Sequence, residues 1–135
     1  MKFQKYLYFF LFVFCVQTAL AEVIKGGSFQ AQSDGINVIL RWITEDETNV
    51  VRFEIERRSG LEGSFTSIAQ MAPKGSSLYE FIDYSVFRKT ASIYQYRIKV
   101  VFSNNATPVF TEPVTVTHTV SGVRRTWGSI KAMFR

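Results

Sequence analysis

Tyr94-Gln95-Tyr96-Arg97-Ile98-Lys99-Val100-Val101-Phe102 is the stretch that decides the fold. In an extended chain Tyr94, Tyr96, Ile98, Val100 and Phe102 share one side, and Gln95, Arg97 and Lys99 take the other. A helix would scatter the same five apolar residues around its axis, so the helical reading fails. Working outward, Ile36, Val38, Leu40 and Trp42 repeat the pattern against Asn37 and Arg41, and Val51, Phe53 and Ile55 repeat it against Arg52, Glu54 and Glu56. Weaker strands are predicted over Ser28–Ser33, over Phe65–Met71 after the Gly60-Leu61-Glu62-Gly63 turn, over Leu78–Asp83 and over Val109–Thr119. Pro108 and Pro113 give the last of these an edge position at its start, because proline cannot donate to a ladder. Asp34-Gly35, Pro73-Lys74-Gly75 and Asn104-Asn105 supply turn signals between strands. The expectation is an all-β, seven-stranded antiparallel sandwich of two sheets.

The ends of the chain have a different character. Lys2 and Lys5 precede the apolar run Tyr6–Val16, and Ala19-Leu20-Ala21 places small residues where a signal peptidase reads them. Residues 1–21 are therefore read as a signal peptide, with cleavage after Ala21 and a secreted, periplasmic or cell-surface product. The run is short for a membrane span of roughly 17–25 residues. The single cysteine, Cys15, lies inside it, so the processed chain has no thiol and its core must hold the fold unaided. That also suits a bacterial envelope setting. Charge is unevenly placed: of the formal +5, Lys2 and Lys5 lie in the leader, residues 22–121 sum to −1, and residues 122–135 sum to +4.

The order of marks resembles a fibronectin type III domain, in the form common in bacterial secreted proteins. The residues that carry the resemblance are Val38-Ile39-Leu40-Arg41-Trp42, Phe53-Glu54-Ile55-Glu56-Arg57, Phe65-Thr66-Ser67-Ile68, Tyr79-Glu80-Phe81-Ile82-Asp83, Tyr94-Gln95-Tyr96-Arg97-Ile98 and Glu112-Pro113-Val114-Thr115-Val116. It covers about residues 28–119, within a domain spanning 22–121. It implies an immunoglobulin-like sandwich with Trp42 in the core of the second strand and Tyr94 or Tyr96 making a corner contact near the sixth.

Residues suited to catalysis are sparse. His118 is the only histidine, in phase with Val114 and Val116, and it reads as a packed or half-exposed imidazole. With no second histidine and no thiol in the processed chain, a zinc site lacks its ligands. No glycine run has the strand-to-helix setting of a phosphate loop. Glu45-Asp46-Glu47 with Asn49 reads first as a solvated acidic turn, with Ca²⁺ ligation as the other reading. Arg52, Glu54, Glu56 and Arg58 are expected to face Gln95, Arg97 and Lys99 across a solubilising surface. No enzyme activity, cofactor, metal or small-molecule substrate is expected.

The basic segment 122–135 is the element with a specific character. Val123, Trp127, Ile130 and Phe134 are spaced four, three and four apart, within about 60° of one another on a helix, and Arg124, Lys131 and Arg135 flank them. A basic amphipathic tail of this length is marginal alone in water, and Gly128 weakens it by about 1 kcal/mol. It needs a surface: its own sandwich, a protein partner or second copy, or an anionic membrane or envelope surface. Four charges with no basic face on the body make a poor nucleic-acid binder. Arg124, Arg125, Trp127, Ile130, Lys131 and Phe134 are the candidate contact residues of a non-catalytic protein-binding module. A structural subunit whose tails dock on neighbouring copies is the alternative, as is peripheral binding to an envelope membrane.

Overall fold

The structure, a computed structural model, describes residues 22–88 and 91–119. The predicted signal peptide and the basic tail lie outside these residues. The described chain is all-β, in two antiparallel sheets. β1 (Gln30–Ser33), β2 (Val38–Ile43) and β5 (Leu78–Asp83) form a three-stranded sheet in the order β1-β2-β5. β4 (Thr66–Met71), β3 (Val50–Ser59) and β6 (Ala91–Phe102) form the second, followed along the outer edge of β6 by β7 (Val109–Phe110) and β8 (Val114–Thr119). A 3-10 segment, Tyr84–Arg88, follows β5.

The predicted alternation is what joins the sheets. Val38, Leu40, Trp42 and Tyr79 from the smaller sheet meet Phe53, Ile55, Tyr94, Tyr96, Ile98 and Val100 from the larger, all at most 2% exposed. Trp42 lies flat on Tyr79 with centroids 5.3 Å apart and meets the edges of Phe53 and Phe29, each at 6.4 Å. Such pairs add roughly 0.5–1.5 kcal/mol beyond burial and fix the spacing between the sheets.

Eight strands stand where seven are expected, because Val109–Thr119 is two strands rather than one. β7 pairs Phe110 with Lys99, whereas β8 pairs Val114 with Tyr96, so one extra residue is accommodated between them. Side chains alternate with period two, so this slip exchanges the faces. Phe110 stands on the outer face, while Val114, Val116 and His118 turn inward opposite Tyr96, Tyr94 and Ser92. Pro113, which has no N–H to offer, sits in the interruption. Thr111 bridges it, donating its N–H to the Ile98 carbonyl at 3.0 Å and accepting the Ile98 N–H on its hydroxyl at 2.9 Å.

A second slip, between Val50 and Arg52, corrects another expectation. Val51 was placed on the buried face with Phe53 and Ile55, but the irregularity leaves it 43% exposed. The first strand begins at Gln30 instead of Ser28, because the chain turns at Gly26-Gly27 and Ser28 uses its hydroxyl on the Lys25 carbonyl.

Candidate functional site

An opening among the described residues is set by the β7–β8 interruption. On one wall, residues 22–29 continue along the end of β2: Lys25 N–H donates to the Ile43 carbonyl at 2.9 Å and Glu45 N–H to the Val23 carbonyl at 2.8 Å. On the other wall are the end of β6, β7 and the 111–114 connection. The groove between them has a volume of about 780 Å³ and is lined mainly by Val23, Ile24, Phe29, Phe102, Val109 and Val114, with Glu22, Lys25 and Glu112 also lining it. That volume lies within the roughly 300–1,000 Å³ of ordinary ligand sites. At the other end of the same edge the sheets are clipped shut, as Ser33 of β1 and His118 of β8 share a hydrogen bond of 2.7 Å. The groove is therefore a wedge, closed at His118 and open beyond Val114.

His118, Asp83 and Glu47 each hold hydrogen bonds within the fold. His118 is 0% exposed, so the half-exposed alternative is excluded, and its Nε2 has no partner among the described residues. Asp83, also buried, accepts from Tyr96 Oη at 2.8 Å, Arg57 Nη1 at 2.6 Å, and Ser85 N–H and hydroxyl at 3.0 and 2.6 Å. Burial pushes this carboxyl up, but the bonds from Ser85, Arg57 and Tyr96, with the Arg57 charge, hold it below its ordinary value. The Tyr96 phenol is driven far upward by its own burial and by the neighbouring carboxylate. Tyr96 is thus the tyrosine that ties β6 to the end of β5, whereas the Tyr94 hydroxyl has no partner among the described residues.

Glu45-Asp46-Glu47 departs from the solvated-turn reading. Glu47 turns inward, accepting from Tyr79 Oη, from Thr44 Oγ1 at 2.7 Å and from Gly75 N–H at 2.7 Å. Burial raises its pKa, but these donors and nearby Lys74 bring it below the ordinary value. Asp46 caps its own turn through Thr48, which leaves Glu45 alone without such an engagement. Among the described residues no three His, Cys, Asp or Glu side chains converge as a metal would require.

The outer face of the larger sheet pairs as expected: Glu54 opposite Lys99, Glu56 opposite Arg97, Arg58 opposite Gln95. It is more tightly packed than a solubilising face. Glu54 and Glu56 are only 8% and 9% exposed. The Arg97 guanidinium lies between the rings of Phe65, at 4.1 Å, and Phe110, at 4.2 Å, while it donates to Glu56. The bond from Arg52 is the main influence holding the Glu54 carboxyl below its ordinary value, against burial and aided by Lys99.

Arg124, Arg125, Trp127, Ile130, Lys131 and Phe134 all lie outside the described residues, so their placement stays a matter of sequence. The groove escaped the sequence reading altogether. Its signal was the pair Pro108 and Pro113 on a strand that was read as continuous, together with Val23, Ile24 and Phe29 lying ahead of the first strand. Comparison with known proteins brings no further likeness: no family model, no curated protein and no solved structure matches this chain.

Proposed function

We propose that this chain is an exported, non-catalytic protein-binding module of fibronectin type III character, with the sandwich as scaffold and the basic tail as docking element. The observation that carries the reading is the division of labour in the described residues. Asp83, Glu47 and the Nδ1 of His118 are engaged in fold-holding hydrogen bonds, while the opening beside β7 is lined mainly by apolar side chains. An opening of that kind suits the burial of apolar side chains better than chemistry on a polar bond. The family character is supported by the chain's repeated crossings between sheets, after β2, after β4 and after β5, as in immunoglobulin-like sandwiches. Trp42 at the centre of the core fits the same reading. Export rests on the leader: a positive start, an apolar run and Ala19-Leu20-Ala21.

Trp and Arg are the residue types that most often dominate interface energy, and the tail combines Trp127 with Arg124 and Arg125. The test is a quantitative pull-down from envelope extract with the exported chain and with its Trp127→Ala/Phe134→Ala variant. A partner recovered with the first and lost with the second is expected. Identical recoveries with both would overturn the docking role of the tail.

A further inference from the structure

We propose that the groove is a docking site for an extended segment of a partner protein, which adds a strand to the free edge at residues 22–25 and lays its apolar side chains on Phe102, Val109 and Val114. The site uses no residue of the basic tail, so it stands apart from the docking role given to that tail above.

Three observations lead to this occupant. The first is a missing layer. Val109 pairs with Val100, which is 2% exposed, and antiparallel partners share a face, so Val109 points between the sheets. It is nevertheless 54% exposed, whereas Val116 and His118, the inward-facing residues of β8 along the same edge, are 8% and 0% exposed. The larger sheet runs on to β7, while the smaller sheet has only β1, β2 and β5 among the described residues, and none of them pairs opposite it.

The second is free backbone. The bonds from Lys25 N–H to the Ile43 carbonyl and from Glu45 N–H to the Val23 carbonyl bracket the bridge between Ile24 and Thr44. Backbone groups alternate in direction along an antiparallel strand, so the Ile24 N–H and C=O point away from β2, out of the edge that lines the groove. A chain that answers both groups at strand spacing is an extended one, because a helix uses its own N–H and C=O internally. The third is the difference between the walls. Pro108 and Pro113 flank β7 and carry no N–H, which blunts that edge for pairing. Backbone pairing therefore falls to residues 22–25, and side-chain burial to the β7 side. Glu22 and Lys25 offset each other on the pairing edge, and Glu112 is exposed on the opposite wall. The segment that fits is apolar at alternate positions, with a basic residue at one end.

The probe is a synthetic peptide of about nine residues, valine and threonine in alternation with lysine at one end, titrated into the exported chain and followed by amide shifts. Two further versions carry N-methyl groups, one on every valine and one on every threonine, so each lacks the donors of one edge and keeps its side chains. The unmethylated peptide is expected to shift the amides of residues 22–26 and 109–114. At least one methylated version is expected to bind about tenfold more weakly, and Val109→Asp, at an exposed position that the fold tolerates, to weaken the unmethylated peptide about as much. Equal binding of all three peptides would make the groove an apolar pocket with no pairing edge and overturn the proposal. So would the absence of shifts at about 1 mM peptide, or shifts confined to β4 or β5. Shifts at Ile24 that appear on concentrating the protein without peptide would also overturn it, and would give the groove to a second copy. None of these readings involves Trp127 or Phe134, so they are independent of the pull-down.

Discussion

Replacing Arg57 with alanine removes the counter-charge of a carboxylate that has no other access to water. The Asp83 side chain is 4% exposed and the Arg57 side chain 23%, with Nη1 and Oδ2 2.6 Å apart. Breaking a buried pair by deleting one partner costs about 3–5 kcal/mol, and the partial exposure of Arg57 puts this case near about 3. Against a total of roughly 5–15 kcal/mol the loss is large, and at about 4–8 °C per kcal/mol it lowers Tm by about 12–24 °C. The pH dependence makes the assay specific. In the native protein Asp83 has a folded pKa below its unfolded value of about 3.9. Its contribution is therefore complete above that value and is lost as pH falls through the lower, folded one. Without Arg57 that restraint is lost and burial pushes the carboxyl up, so protonation relieves the variant at a pH above the unfolded value, whereas the native protein loses its contribution only below it. Urea unfolding of both proteins from pH 7 to pH 3 should show a difference that is greatest near neutrality and narrows in acid. A difference that stays constant across that range, or one below about 0.5 kcal/mol at pH 7, the ordinary scatter of surface substitutions, would refute the reasoning.

Trp42→Ala should cost about 3–5 kcal/mol and leave the domain largely unfolded at 37 °C, as read by near-ultraviolet circular dichroism. Glu47→Gln places an amide N–H₂ against donors already aimed at that position and should cost about 1–3 kcal/mol, with faster amide exchange at Gly75 as the local signature. Deleting Glu112 removes the extra residue between β7 and β8 and leaves Phe110 and Val114 an odd number of steps apart, so plain alternation keeps them on opposite faces; the cooperative thermal transition should be retained, and its loss would contradict the register described. Ser33→Ala leaves the His118 Nδ1 without its partner and should cost about 1–3 kcal/mol, whereas the same substitution at exposed Ser64 should be within about 0.5.

The strands of strong alternation were legible because burial on one face leaves a period-two imprint, as Tyr94 to Phe102 and Val38 to Trp42 show. The facing of Glu54 and Glu56 with Lys99 and Arg97 was legible for the same reason, since pairing register follows the buried face. The slips at Val51 and between β7 and β8 left no such imprint. A single extra residue alters which side chains face inward without altering composition, and only Pro113 hinted at one of them. Glu47 was misread because three acidic residues in a row suggest solvent, and nothing local tells that Tyr79, thirty-two positions away, points its hydroxyl at one of them. The groove was invisible because it is built from strand ends brought together by topology, with residues 22–29 on one side and residues 100–114 on the other.

Site-resolved amide exchange on residues 22–135 tests the two-sheet core most directly. Slow exchange at Phe53, Ile55 and Ile98, which are buried between the sheets, is predicted. Exchange at those three residues as fast as at the exposed Leu61 would contradict it.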